Sequence, residues 1–493
     1  MNNEELFAGF IGPKGENIPL LKKLINQVLN HQQQWRESFF PNDNFLPFEP
    51  SESFPKLEKA LDDLLKQASN NFPFFHPRYS AQMLKDPSLP TLLGYLTFMM
   101  SNPNNHAYEG GPVTTMMEMN VVDQLLRLTG YTSGWGHLTS GGSLANMEAL
   151  WAVRDKYKNN GTVYFSEVSH YSWKRICGIL AIPSYQEIEV DEQFHLDCNK
   201  LEENLKKHPG LMVVANAGST GTGSIDAISD ILTLRDKYGF HLHIDAAYGG
   251  FSRSLLFDSD YNVLEKEFVP DLTPYAYTQI KAIEHSDSLT IDPHKQGLIS
   301  YGAGAVLFAD TALRDCVLNT APYTYHVTDK PNIGMFSLEG SRPGAMAAAC
   351  YLTYSTYPLH RDGIGNIISA SLLSARNFGE QLIHSGVFEI AHIPDLDIVC
   401  FFPSGEQSVS KINQLSLDVY SKLSVENPDA EFILSKFVIT PEIVERAFPL
   451  LLNPEKENLI ILRSVFLKHW NGVVGSKYNE ELVRVLVNTL QGA

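Results

Sequence analysis

Short apolar runs alternate with segments of helical spacing through the middle of the chain. The apolar runs lie at residues 163–165, 211–215, 240–244, 288–291 and 304–308, and helix-like segments lie at 173–180 and 229–238. This alternation predicts an α/β fold in which helices flank a mostly parallel central sheet. Ligands of such sheets bind beyond the carboxyl ends of the strands, so we expect the functional residues there.

The flanks of this region have different patterns. Residues 20–35 and 91–130 show helical spacing, and residues 41–55 contain four prolines typical of an extended connector. A helix-like segment runs from 345 to about 357, and shorter strand-like runs follow at 388–393, 398–402 and 459–462. We therefore predict an N-terminal helical segment (1–75), a large α/β domain (76–357) and a smaller α+β C-terminal domain (358–493).

Composition narrows the classes of function. The chain has 493 residues, of which 44% are hydrophobic, enough for a large core, and its formal net charge of −18 disfavours nucleic acid and anionic membranes as partners. The five cysteines show no CxxC spacing, so neither a disulfide framework nor a metal site is expected. The acidic N-terminus resembles no signal peptide, and no apolar run is long enough to span a membrane, so we expect a cytoplasmic protein.

Three polar features follow or border the predicted strands. Lys295 closes the run Ser-Leu-Thr-Ile-Asp-Pro-His-Lys, and Asp245 lies fifty residues upstream (295 − 245) at the end of another strand. A glycine-serine loop, with Gly142 and Ser143, opens a helix further upstream. Separately these would be a surface lysine, a turn aspartate and a simple turn. Together, an amine, a carboxylate for a pyridinium nitrogen and a phosphate cradle suit pyridoxal phosphate (PLP).

Other residues near the same strand ends are candidates for the cofactor site. Thr220 lies in a Gly-Ser-Thr-Gly-Thr-Gly turn and could add a hydroxyl group, and Ala247 is small enough to pack on a planar ring. His170 follows the run at 163–165 and could stack on that ring. His294 could contact phosphate or relay protons, although its position beside Lys295 could also be simple adjacency.

Several of these motifs resemble those of the group II PLP-dependent amino-acid decarboxylases. The resemblance rests on Ser-His-Tyr-Ser-Trp around His170, His-Ile-Asp-Ala-Ala-Tyr around Asp245 and Asp-Pro-His-Lys ending at Lys295. Further motifs at 104–109, 134–137, 339–344 and 461–463 are similar to the bacterial and archaeal tyrosine decarboxylase branch. The resemblance implies the PLP-dependent transferase fold type I, an N-terminal segment that wraps the partner subunit, and a homodimer with shared active sites.

The resemblance also implies a role for individual residues. Lys295 would be the Schiff-base lysine, Asp245 the partner of the pyridinium nitrogen and His170 the histidine that stacks on the ring. The remaining implied roles are phosphate contacts for Gly142, Ser143, Thr220 and His294, an α-carboxylate anchor for Arg463, substrate-pocket positions for Tyr79 and Ser80, and a proton-donating loop tyrosine for Tyr323 or Tyr325. Asp292 stands where part of the family has an asparagine near the phosphate. A carboxylate at that place would repel a phosphate dianion, so Asp292 is assigned no cofactor role.

Four functions remain open at this point. The first is α-decarboxylation of an L-amino acid to its amine and CO2, with tyrosine or another aromatic favoured. The second is decarboxylation of glutamate or aspartate, whose side chain requires a cation in the pocket; Tyr79 and Ser80 are neutral and disfavour it, whereas Arg78 keeps it open. The third is a related PLP lyase or aldehyde synthase. The fourth is a non-catalytic PLP-binding protein, which would have no need of the tyrosine-bearing segment at 320–331.

Overall fold

The computed structural model describes residues 3–43, 49–320 and 330–492. Its α-helices are α1 Asn3–Ala8, α2 Ile18–Glu37, α3 Pro55–Ala68, α4 Leu89–Met99, α5 Pro112–Thr129, α6 Gly142–Lys156, α7 Ser172–Ile179, α8 Cys198–Leu205, α9 Ile228–Tyr238, α10 Pro274–Ala282, α11 Leu313–Cys316, α12 Gly344–Thr356, α13 Asn366–Ser385, α14 Val409–Lys422, α15 Pro441–Ala447, α16 Trp470–Val474 and α17 Lys477–Gln491. Its strands are β1 Trp135–Thr139, β2 Thr162–Ser166, β3 Tyr185–Ile188, β4 Gly210–Asn216, β5 His241–Ala246, β6 Ser288–Ile291, β7 Gly304–Phe308, β8 Phe388–Ile390, β9 Ile398–Pro403, β10 Ser435–Ile439 and β11 Leu459–Val465.

A seven-stranded sheet forms the centre of the molecule, in the order β1-β7-β6-β5-β4-β2-β3. The pairings from β3 through β6 are parallel, and every residue of β2, β5 and β6 is buried. Apolar strands of this kind are covered by helices on both faces. The predicted mostly parallel α/β sheet is therefore confirmed.

The other edge of this sheet is antiparallel. Strand β7 runs against β6, and β1 runs against β7 with Thr139 opposite Gly304. A Cβ atom at residue 304 would lie 2.7 Å from backbone atoms of Gly141, so only glycine permits this close approach. The sequence pattern did not predict β1 or β3, since Trp-Gly-His-Leu-Thr and Tyr-Gln-Glu-Ile are short edge strands without a continuous apolar run.

A second, antiparallel sheet follows in the order β10-β11-β9-β8. Three of its strands coincide with the runs predicted at 388–393, 398–402 and 459–462, whereas β10 was not predicted. Phe378 of α13 and Phe401 of β9 are fully buried and pack edge to face, with ring centroids 5.6 Å apart. This sheet with helices α13, α14 and α17 is the α+β arrangement expected for the C-terminal part.

The N-terminal helices lie on the surface of this chain. Neither α2 nor α3 has a buried residue, and α3 exposes Leu57, Leu61, Leu64 and Leu65. The spacing of these leucines places them on one face of the helix. An apolar helical face of this kind normally packs against other protein surface. Among the described helices, none is both long and apolar enough to cross a membrane.

Candidate active site

A cavity of about 590 Å³ lies at the carboxyl ends of β2, β4 and β5 and the start of α6. Its wall brings together eight of the predicted site residues: Gly142, Ser143, His170, Thr220, Asp245, Ala247, His294 and Lys295. The wall does not include Tyr79, Ser80 or Arg463. Tyr323 and Tyr325 lie outside the described residues. The side chains that sequence reasoning did not select include Tyr171, Arg175, Ile176, Ile179 and Tyr301.

The glycine turn before α6 forms one end of the cavity. Gly141 has φ +156°, and a Cβ atom at residue 142 would lie 2.9 Å from Asp292 Oδ2 and 3.1 Å from Ala247 Cβ. No side chain caps this helix, and the contacts of the described residues leave the amide groups of Gly142 and Ser143 without an acceptor. Free amides at a helix N-terminus favour an anion such as phosphate.

Lys295 projects into the cavity from the turn after β6. Its ammonium Nζ lies 3.2 Å from Asp292 Oδ2, and its side chain is 18% exposed. His294 Nε2 lies 3.4 Å from the same oxygen, and His294 Nδ1 accepts a hydrogen bond from the amide of Ala303 at 3.1 Å. Burial raises the pKa of Asp292 and lowers the pKa of His294. The other oxygen of Asp292, Oδ1, has no hydrogen-bond partner among the described residues.

Asp245 ends β5 and is held by three donors. Its Oδ2 accepts hydrogen bonds from Asn146 Nδ2 at 2.8 Å and from Trp173 Nε1 at 3.0 Å. Its Oδ1 accepts a longer bond, 3.3 Å, from the amide of Ala247. Sequence reasoning missed the roles of Asn146 and Trp173. Trp173 lies within the motif around His170, and Asn146 lies one helical turn after Gly142, so both had a local signal.

His170 follows β2 and lies in the same wall. Its Nδ1 lies 2.7 Å from the hydroxyl of Ser172 and accepts the amide hydrogen of that residue at 3.3 Å, so the ring proton is on Nε2. Burial lowers the pKa of His170, and the nearby charge of Lys295 acts in the same direction although Asp245 opposes it. The imidazole is therefore set up as a neutral, planar ring.

Arg463 of β11 is buried against backbone oxygens. Its Nε donates to the carbonyl of Gly221, its Nη1 to the carbonyl of Ala81 and the hydroxyl of Ser435, and its Nη2 to the carbonyl of Thr220, at 2.7–3.1 Å. These contacts leave one Nη2 hydrogen for another acceptor. Arg463 thus joins β11 to the Gly218–Gly223 turn, whose Thr220 lies in the cavity wall.

Tyr79 and Ser80 lie beside the second sheet. The Tyr79 ring has the ammonium of Lys468 5.2 Å from its centroid, and the Ser80 hydroxyl accepts a hydrogen bond from Ser464 at 2.8 Å. Arg78 extends away from the cavity wall toward the carbonyl of Glu431, 3.2 Å from Nη1.

Comparison with known proteins identifies the family. The profile of the pyridoxal-dependent decarboxylase conserved domain matches residues 49–403. The chain belongs to this family. An L-tyrosine decarboxylase of Levilactobacillus brevis is 30% identical over 85% of this chain and 83% of that protein. An aspartate 1-decarboxylase of Aliivibrio fischeri is 27% identical over 81% of this chain and 79% of that protein.

Solved structures share the fold. A tryptophan decarboxylase of Catharanthus roseus, crystallised with L-tryptophan, superimposes with a TM-score of 0.71 over 96% of this chain and 99% of that chain, at 16% identity. The chain is thus a PLP-dependent amino-acid decarboxylase of fold type I, as the motifs predicted.

The residues present in this member of the decarboxylase family fit PLP. The cavity combines a lysine amine, a buried carboxylate and a glycine turn that a larger residue would obstruct. When bound, PLP supplies an aldehyde carbon for a lysine and a ring that accepts the electron pair released as CO2 departs. The amides of Gly142 and Ser143 would hold its phosphate, and Asp245 would hold its ring nitrogen.

Proposed function

We propose that the chain decarboxylates an aromatic L-amino acid, tyrosine first, to the corresponding amine and CO2. The observation that carries the proposal is the cavity in which Lys295 and Asp245 share a wall with the aromatic and aliphatic side chains of Tyr171, Ile176 and Ile179. A wall of this kind suits an aromatic side chain, because burying apolar surface stabilises the complex. The relative of Levilactobacillus brevis, an L-tyrosine decarboxylase, supports the same substrate.

We assign each residue of the wall one task. Lys295 would supply the amine for the cofactor aldehyde and would first have to lose its proton, for which Asp292 Oδ2 lies within reach at 3.2 Å. Asp245 would keep a proton on the ring nitrogen, and His170 would cover a face of the ring. Gly142, Ser143, Thr220 and His294 would hold the phosphate.

Three further assignments concern Arg463, the pair Tyr79 and Ser80, and the pair Tyr323 and Tyr325. We propose that the unused Nη2 hydrogen of Arg463 binds the substrate α-carboxylate, and that Tyr79 and Ser80 border the substrate pocket from the second sheet. We also propose that Tyr323 or Tyr325 donates the proton that the substrate α-carbon needs after CO2 has left. Replacement of each tyrosine by phenylalanine, with amine, aldehyde and ammonia measured, tests the last assignment. An unchanged product ratio in both variants would refute it.

A second candidate is decarboxylation of an acidic amino acid. Arg175 lies in the cavity wall, with its guanidinium 5.3 Å from the ring centroid of Tyr171, and a cation is what a side-chain carboxylate requires. The aspartate 1-decarboxylase relative supports this alternative. Arg78, which favoured it from sequence, extends toward Glu431 instead.

One experiment separates the two candidates. CO2 release is measured from L-tyrosine, L-phenylalanine, L-aspartate and L-glutamate, for the unmodified chain and for Arg175→Gln. The neighbouring Lys174→Gln is the matched control, since Lys174 pairs with Glu187 on the surface. We expect L-tyrosine to give the highest kcat/KM of the four substrates, and we expect Arg175→Gln to retain that kcat/KM for L-tyrosine. Highest activity on aspartate, with KM raised about tenfold or more in Arg175→Gln alone, would establish the alternative.

We further propose that the chain forms a homodimer with shared active sites. The face of α3 formed by Leu57, Leu61, Leu64 and Leu65 is about half exposed in the single chain, and a second copy would cover it. Leu61→Glu together with Leu64→Glu should yield monomers in sedimentation, whereas Asp62→Lys on the same helix should remain dimeric. A cytoplasmic location is proposed because all five cysteines are free thiols.

A further inference from the structure

A chain of buried hydrogen bonds leads through the sheet to Asp245. His241 Nε2 and His243 Nδ1 each lie 2.8 Å from the hydroxyl oxygen of Ser288. His243 Nε2 lies 3.1 Å from Asn146 Oδ1, and Asn146 Nδ2 lies 2.8 Å from Asp245 Oδ2. The five residues lie on β5, β6 and α6, and none is more than 7% exposed.

Every hydrogen bond in this buried series, from His241 to Asp245, has a defined direction. A carboxylate oxygen only accepts, so Asn146 donates from Nδ2 and presents Oδ1 to His243. His243 must then carry its proton on Nε2, and its Nδ1 accepts the hydroxyl proton of Ser288. The oxygen of Ser288 in turn accepts from His241 Nε2. Burial lowers the pKa of His243 to about 3 and that of His241 to about 4, so both rings are neutral with one proton each.

A second donor reinforces the same oxygen. Trp173 Nε1, which can only donate, lies 3.0 Å from Asp245 Oδ2, and the Trp173 ring packs edge to face on His243 with centroids 5.6 Å apart. Both strong donors therefore converge on Oδ2. The other oxygen, Oδ1, accepts only the longer bond from the amide of Ala247 and belongs to a residue of the cavity wall.

We propose that Asn146 and His243 are positioning residues that act through Asp245 on the ring nitrogen of the cofactor. They hold Oδ2 through a series of donors directed toward it, and so leave Oδ1 to accept a hydrogen bond from the protonated ring nitrogen. This inference rests on the proposed role of Asp245. It adds that Asn146 and His243, which are two and three hydrogen bonds away from the ring nitrogen in the interior of the sheet, determine the selectivity for a protonated ring.

The consequence is specific to one atom of the ligand. Asn146→Leu removes one of the two donors to Oδ2 and leaves the Nε2 proton of His243 without its acceptor at 3.1 Å. The carboxylate then holds a proton on the ring nitrogen less strongly. The dissociation constant of a ligand without that nitrogen should be almost unchanged by the substitution, because other residues bind the phosphate and the aldehyde carbon.

The test is a double-mutant cycle between the protein and the cofactor. Dissociation constants are measured for PLP and for an analogue in which a C–H group replaces the ring nitrogen, with the full-length chain and with Asn146→Leu. We expect Asn146→Leu to weaken PLP about tenfold, the effect of losing one charge-assisted hydrogen bond, and the analogue less than about twofold. The matched control is Asn204→Leu, whose amide oxygen accepts a hydrogen bond from Gln186 away from the cavity wall.

Two further measurements distinguish positioning from a general loss of structure. With ¹⁵N-labelled PLP, the ring-nitrogen chemical shift should be that of a protonated ring in the unmodified chain and should move toward the unprotonated value in Asn146→Leu. His243→Gln can keep a donor amide near the position of Nε2 and should restore most of the discrimination that His243→Leu loses. The comparison of the two His243 variants stands even if Asn146→Leu folds poorly.

Each outcome decides between defined alternatives. Equal loss of affinity for PLP and for the analogue in Asn146→Leu would overturn the proposal and leave the chain of hydrogen bonds a purely structural element. Unchanged discrimination in Asn146→Leu, with discrimination lost in Asp245→Asn, would also overturn it but would leave the role of Asp245 intact. Failure of the unmodified chain to distinguish the two ligands would refute the role of Asp245 itself.

Discussion

His195 provides a quantitative test of the electrostatics of a buried ion pair. It lies between β3 and α8, with Nε2 2.8 Å from Asp395 Oδ2 and Nδ1 3.6 Å from Asp191 Oδ2, and its ring stacks on Tyr275 with centroids 4.4 Å apart. Asp395 also accepts the amide of Ile225 at 2.9 Å. The charged His195 thus binds Asp395 of the loop between β8 and β9, which in turn binds the loop after β4.

The expected effect follows from the pKa of His195. Burial alone would lower that pKa, but the carboxylates of Asp191 and Asp395 beside the ring outweigh it and raise the pKa to about 9, against 6.5 in the unfolded chain. At about 1.4 kcal/mol per pH unit, the difference corresponds to about 3 kcal/mol of unfolding free energy. Because the folded pKa is the higher one, this contribution is complete below pH 6.5, declines between 6.5 and 9, and is absent above 9.

The assay is urea unfolding of the unmodified chain and of His195→Gln at pH 6 and pH 10. Glutamine cannot become charged, so the difference in unfolding free energy between the two proteins should shrink by about 3 kcal/mol from pH 6 to pH 10. His285→Gln is the control, because His285 is 66% exposed on the surface. A difference for His195→Gln that stays the same at both pH values would refute the reasoning.

Four other substitutions test the site directly. Lys295→Ala should lose the covalent attachment to PLP, and pyridoxyl found by mass spectrometry on another lysine after borohydride reduction would contradict the assignment. Asp245→Asn should fold and bind some PLP but release CO2 about 10²–10³-fold more slowly, and retention of half the rate would argue against its role. Burial raises the pKa of the Asp292 carboxyl group, and phosphate binding in the unmodified chain should weaken as pH rises and this group ionises. Asp292→Asn removes the charge, so phosphate binding should persist to higher pH in the variant. Identical pH profiles of the two proteins would exclude the coupling. Arg463→Lys cannot reproduce the guanidinium contacts with three carbonyl oxygens, so kcat/KM should fall despite the retained charge, and unchanged kinetics would exclude an anchoring role.

The amino-acid sequence by itself determined the central sheet and the chemical class of the site. The strands β2, β4, β5 and β6 contain short apolar runs, as strands buried on both faces of a sheet commonly do, although β5 and β6 also bury His241, His243 and Ser288. Asp245 ends one such strand and Lys295 comes four residues after another. Since the carboxyl ends of parallel strands meet at one edge, these local patterns were sufficient to bring the amine and the carboxylate to a common cavity.

The tertiary structure decided how that site is built. Asn146 and Trp173 donate to Asp245 across 99 and 72 residues of sequence, and although both lie in or near a recognised motif, the motif does not specify the distant residue that each side chain contacts. The antiparallel pairing of β1 with β7 depends on backbone hydrogen bonds, which side-chain periodicity does not record. Likewise, the contacts of Arg463 with the carbonyls of Thr220 and Gly221 exist only because the second sheet lies against that turn. Local patterns therefore determined that Asp245 and Lys295 meet at one cavity, and long-range packing determined the rest of the wall and the hydrogen bonds within it.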